Sequence, residues 1–125
     1  MRDRGWRGSW SCSSSRSLKD DFASVDTRSI LERVVAMPIA TWRYRDETSR
    51  ALHLGPTSED FRAAFGLGHT DKEIGLVDGQ GVALAAIQGL KAKLEAKLAA
   101  KEVEIAQLEA AIAALLASGK RDDRS

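Results

Sequence analysis

Cysteine is almost missing from these 125 residues: Cys12 stands alone and cannot close an internal disulfide. A catalytic thiol there needs a thiolate-stabilising environment, and a small incidental residue is the plainer reading. Histidine occurs twice, with no closely spaced His, Cys or acidic cluster, so no metal site and no cofactor are expected. No glycine-rich phosphate loop is present, because Gly66-Leu67-Gly68 and Gly79-Gln80-Gly81 lack the flanking elements such a loop needs. Excess charge of either sign is lacking too: 19 Lys and Arg face 18 Asp and Glu. That balance argues against nucleic acid or a membrane surface as the main partner. No early apolar run of signal-peptide type occurs, and the glutamates within 102–109 break any membrane span. Localisation stays open, with export as part of a longer protein one route.

What the chain does have is a long heptad pattern. From Leu84 the apolar residues recur at steps of three and four: Leu84, Ile87, Leu94, Leu98, Ile105, Leu108, Ile112 and Leu115. Positions a fall at 84, 91, 98, 105 and 112, and positions d at 87, 94, 101, 108 and 115; Lys91 and Lys101 are the two interruptions. Asp78 is expected as the N-cap. A helix over 81–118 is roughly 57 Å long, and a body of about eighty residues cannot cover it. Its seam must meet copies of itself or a partner helix. Ile at a with Leu at d would by itself favour two parallel strands. Lys97 at g can pair with Glu102 at e of a neighbour, whereas Glu104 and Glu109 oppose one another, so charge does not decide strand number.

Ahead of the helix the expectation is a small α+β body over 14–80, with residues 1–13 as a disordered lead or the remnant of an upstream region. Residues 81–118 form the coiled-coil helix and 119–125 a disordered tail. The first seventeen residues hold four arginines, two tryptophans (Trp6 and Trp10) and six serines. They read as a severed linker, with a basic nucleic-acid arm as the sharper alternative. Asp26 or Ser29 caps a short helix through Ile30, Leu31, Val34 and Val35, and Pro38 ends it. Ile39 to Arg45 alternates like a half-buried strand, Asp46 to Ser49 is a turn, and Arg50 to Leu54 returns, giving a β-hairpin. Thr57 or Ser58 caps a helix through Phe61, Ala64 and Phe65, stopped by Gly66 and Gly68. Ile74 to Val77 is expected as a third short strand.

One local arrangement could carry chemistry. Ser14 precedes Lys19 by five residues, and a lysine can serve as base for a serine only if burial or neighbouring cations favour its neutral form. That spacing alone says little. Its context says more: the run Trp10-Ser11-Cys12-Ser13-Ser14-Ser15-Arg16-Ser17-Leu18-Lys19, then Pro38-Ile39-Ala40-Thr41-Trp42-Arg43-Tyr44, then His53-Leu54-Gly55-Pro56 with Asp60-Phe61 after it. Together with Val77-Asp78-Gly79 and Val82-Ala83-Leu84, this order resembles the C-terminal intramolecular chaperone domains of phage tail spikes and fibres, the S74-type self-cleaving peptidases.

The resemblance implies a parallel homotrimer that aids folding of an upstream β-structured fibre and then cuts itself free. It matches Ser14 to the nucleophile, Lys19 to the base and His53 to a supporting residue, with Ser13–Ser14 as the scissile bond. Ser15 stands where the family usually has Asp, Ser17 where Arg or Asn is common, and Glu59 in place of a frequent Gln. The competing reading is a non-catalytic coiled-coil oligomerisation or adaptor module with an inert serine-rich lead.

Overall fold

The computed structural model describes residues 13–122. Trp6, Trp10, Cys12 and the last three residues of the expected tail lie outside them. The elements run in the order of a 3₁₀ turn (Arg16–Leu18), α1 (Thr27–Ala36), β1 (Ala40–Trp42), β2 (His53–Gly55), α2 (Ser58–Phe65) and α3 (Leu76–Asp122). The class is α+β, as the sequence indicates.

Local chemistry sets the short elements. Asp26 caps α1, its Oδ1 accepting from the amides of Arg28 and Ser29 at 3.1 and 3.2 Å. These are amides that have no partner within the helix. Met37 ends it in an extended conformation, as a residue before proline favours. Thr57 caps α2 by accepting from the amide of Asp60 at 3.1 Å. Gly66 closes that helix with φ +63°, a left-handed conformation glycine adopts without steric cost, and its amide reaches the Arg62 carbonyl at 2.8 Å. Between the helices β1 and β2 pair antiparallel, Ala40 with Gly55, Thr41 with Leu54 and Trp42 with His53. The strands are shorter than the alternation suggests, three residues each.

The expected third strand at Ile74–Val77 does not form. Leu76 and Val77 are instead the first residues of α3, and the sheet among the described residues has two strands, β1 and β2. Asp78 correspondingly lies inside the first turn rather than at the cap. There its carboxylate still faces the positive end of the helix dipole. The helix extends past Gly79 and Gly81 at one end and past Ser118 at the other, giving 47 residues and about 70 Å.

The core is small and lies where α1 and α2 meet the first part of α3. Leu31, Phe61, Val82 and Ala86 are the buried apolar side chains among the described residues. Complete burial of a leucine or phenylalanine stabilises by about 1.5–3 kcal/mol, so Leu31 and Phe61 dominate this cluster. Gly89 marks the closest approach: a Cβ there would lie 2.1 Å from the Thr27 carbonyl oxygen at the start of α1. Polar links frame the apolar ones. Lys93 Nζ meets Glu32 Oε1 at 3.0 Å, tying α3 to α1, and Arg33 Nη1 donates to the Ala64 carbonyl at 3.1 Å, tying α1 to α2.

Candidate functional site

Two features of this architecture could carry function: the serine-lysine turn at the start of the described chain, and the open stripe along α3. The turn is built by one 3₁₀ loop. The amides of Leu18 and Lys19 donate to the carbonyls of Ser15 and Arg16 at 3.1 and 3.2 Å, folding five residues back on themselves. Ser15 is its N-cap, accepting from the amide of Ser17 at 3.4 Å, and the two hydroxyls lie 2.9 Å apart. The reversal brings Lys19 Nζ to Ser14 Oγ, to which it donates at 2.5 Å. A carboxylate at position 15 is not needed to close this turn, because the Ser15 hydroxyl already fills the capping role.

Ser14 and Lys19 are both exposed, as is every residue from Ser13 to Asp26. Arg16 lies over the ring of Phe22, 4.8 Å from its centroid, and the chain turns again at Asp21, whose φ is +56°. Leu18, Phe22 and Val25 are each more than 60% exposed. The segment therefore holds its own shape without being buried by the other described residues. A lysine acts as a base when desolvation disfavours its charge. Among the described residues none buries Lys19.

His53 sits in a different cluster. It opens β2, stacks on Trp42 at 5.1 Å between centroids, and meets Tyr44 edge-on at 5.2 Å. Its Nε2 pairs with Glu47 Oε2 at 2.9 Å, from the turn that joins the strands. The hydrogen bond to His53, with a second from the Ser49 hydroxyl at 2.8 Å, holds the Glu47 carboxyl below its usual range. Trp42 Nε1 donates to the Gly55 carbonyl at 3.3 Å, which fixes the indole over the hairpin. The structure thus joins Ser14 to Lys19 and joins His53 to Glu47, with no hydrogen bond between the two pairs. Glu47 was not singled out in the sequence; its signal was a carboxylate in the turn, six residues before a strand histidine. Glu59 is held low as well, by the backbone amide at the start of α2 and by Lys72 at 3.3 Å.

Residues 14–66 match a family model, Peptidase_S74, described as the chaperone of endosialidase. That span begins at Ser14 and closes at Gly66, the glycine that stops α2. This stretch is an S74-type chaperone domain. The S74 domain thus contains both the Ser14–Lys19 turn and the Trp42–His53 hairpin, and it stops before α3. No curated protein matches the chain.

The long helix must accordingly be read on its own geometry. Positions Val82, Ala86, Gly89 and Lys93 fall at f, c, f and c of the heptad, and these are the residues that face the S74 domain's α1. Positions a and d lie roughly 160° around the helix from that face. The eight seam residues are uncovered: Leu84, Ile87, Leu94, Leu98, Ile105, Leu108, Ile112 and Leu115 are each between 51 and 72% exposed. An apolar stripe of that length is far beyond what a lone soluble chain normally exposes and marks an interaction surface. Among the described residues no helix is long and apolar enough to cross a membrane, and no group of His, Cys, Asp or Glu could hold a metal ion.

Proposed function

We propose that this chain is a C-terminal intramolecular chaperone that trimerises through α3, aids folding of an upstream tail-fibre-like protein, and releases itself by one Ser-Lys cleavage at Ser13–Ser14. The observation that carries the assembly part is the opposition of two faces on one helix. The body occupies c and f of α3, leaving a and d free along the whole seam. Three such seams meeting in parallel hold three S74 domains at one end of a bundle. That places three upstream chains side by side, lowering the entropy cost of their first shared contacts. The chaperone-of-endosialidase match supports association with a fibre protein.

For the cleavage, the short contact between Lys19 Nζ and Ser14 Oγ supports a base beside its nucleophile. Neutral Lys19 takes the hydroxyl proton as Ser14 Oγ attacks the Ser13 carbonyl carbon. The Ser13–Ser14 amide breaks, its nitrogen leaves with a proton as the amino group of Ser14, and an ester joins Ser13 to Ser14 Oγ. Water then hydrolyses the ester, giving a Ser13 carboxylate and a free Ser14 hydroxyl. His53 has a supporting role through the hairpin. Burial of the exposed Ser13–Asp26 segment against a neighbour is what would make Lys19 a competent base.

The test is intact mass of the chain carrying its natural upstream sequence, beside Ser14→Ala and Lys19→Ala. Loss of the upstream mass in the parent and its retention in both variants is expected. Cleavage that persists in Ser14→Ala rejects the mechanism. Full-length material that nevertheless sediments as a trimer leaves assembly without proteolysis. The non-catalytic adaptor reading, by contrast, expects mixed rather than self-only assemblies.

A further inference from the structure

The proposed assembly leaves unexplained why a seam of eight Leu and Ile is broken twice by lysine. We infer that Lys91 and Lys101 set the register and direction in which copies of this chain align, an inference that rests on the assembly reading above. Lys91 is at a and Lys101 at d, ten residues and about 15 Å apart along the helix. Both side chains are mostly exposed and both reach a carboxylate at the margin of the seam: Lys91 Nζ to Glu95 Oε1 at 3.5 Å, Lys101 Nζ to Glu104 Oε2 at 3.1 Å. Glu95 occupies e and Glu104 occupies g. Each lysine therefore bends out of the stripe toward a flank that stays wet in a coiled coil, keeping its charge hydrated and paired.

The placement discriminates among alignments. In a parallel, in-register bundle the lysines meet only their counterparts, and all eight remaining layers are apolar throughout. A slip of one heptad sets Lys91 against Leu84 and Leu98, and Lys101 against Leu94 and Leu108. Four wholly apolar layers then survive, pairing 87 with 94, 98 with 105, 105 with 112, and 108 with 115. The centred antiparallel pairing sets Lys91 against Leu108 and Lys101 against Leu98, spoiling four of ten layers. Both alternatives put an ammonium stem where a leucine needs an apolar partner. A polar residue at a seam position specifies alignment in this way at a cost in stability. Replacing both lysines by leucine makes every layer apolar in every alignment, so the preference should disappear while the helix bundle gains stability.

The experiment uses the full chain in a Cys12→Ser background, spin-labelled at Ala92→Cys or at Ala113→Cys, exposed b positions, the first beside Lys91 and the second beyond Lys101. Inter-chain distances are read by pulsed electron resonance, with sedimentation run on the same samples. The parent is expected to give one short distance at each site. K91L/K101L is expected to melt at least about 5 °C higher and to show several distances or altered strand number. A leucine variant that keeps the single alignment overturns this inference alone, as does a parent already spread over several alignments. A parent that sediments as one copy at tens of micromolar overturns the assembly reading and this one with it.

Discussion

Within α3, the stretch from Leu76 to Lys93 and the stretch from Leu94 to Arg121 solve different problems with different residues. The first holds Gly79, Gly81 and Gly89 and packs its c and f positions on α1. The second has no glycine before Gly119, is rich in Ala, Glu, Lys and Leu, and is exposed at every position. Glycine costs a helix about 1 kcal/mol relative to alanine, so the first stretch is intrinsically the weaker helix. It is held by tertiary packing, where a side chain at Gly89 would collide with Thr27. The distal stretch has the propensity but lacks contacts, and in proteins most helical stability comes from packing of an apolar face. One part needs its own body, the other needs another chain.

The largest break in that comparison comes from charge in the distal seam. Leu98→Asp with Leu108→Asp should abolish assembly, since each carboxylate would enter an apolar layer unpaired. Sedimentation is expected to give single copies at tens of micromolar. Circular dichroism should lose helix signal from the distal stretch, while the thermal transition of the S74 domain remains. Assembly that survives both aspartates would show that the seam is not the interface.

The mirror experiment attacks the covered half. Gly89→Ala places a methyl group 2.1 Å from the Thr27 carbonyl oxygen, which forces α1 and α3 apart and costs about 1–3 kcal/mol in the melting of the body. Gly119→Ala, whose added carbon meets nothing within 4 Å, should be neutral or stabilising by about 1 kcal/mol. Equal effects at the two glycines would erase the distinction drawn between the halves. A smaller effect is expected at the polar link between them. Glu32→Gln removes the partner of Lys93 and should cost at most about 1 kcal/mol, less in high salt, because Glu32 is largely exposed.

These contrasts also explain what the letters revealed. Asp26, Thr57 and Gly66 act through atoms within a few residues, so their capping and stopping roles were readable. The heptads were readable for the same reason, as a period. The start of α3 was not: Gly79 and Gly81 look like breakers, and Ile74–Val77 looks like a strand. Burial of Val82 and Ala86 against α1, a long-range contact, outweighs the glycine cost and draws the helix back to Leu76. Gly89 carried a trace of this, as a lone glycine in a strong helical pattern with no local role. The Ser14–Lys19 turn was suggested by family likeness, since no periodicity encodes a 3₁₀ reversal of five residues.

The smallest expected effect concerns the S74 domain's hairpin, which packs neither on the seam nor on the covered face of α3. Its Glu47 carboxyl is lowered first by the hydrogen bond from His53, then by that from Ser49, and then by the charge of His53. A carboxyl held lower when folded than when unfolded contributes stability that is fully present above its unfolded value. That contribution fades as the pH falls through the folded value. The window therefore lies below about pH 4.5, the ordinary value for the group. Melting of the parent and of Glu47→Gln should differ slightly near pH 6 and converge as the pH drops under that value. The transition to follow is tryptophan fluorescence from Trp42, which stacks on His53, measured with Trp6 and Trp10 replaced by Phe. A gap that instead widens in acid would mean the carboxylate strains the hairpin rather than bracing it, and His53 would then be held by its aromatic neighbours alone.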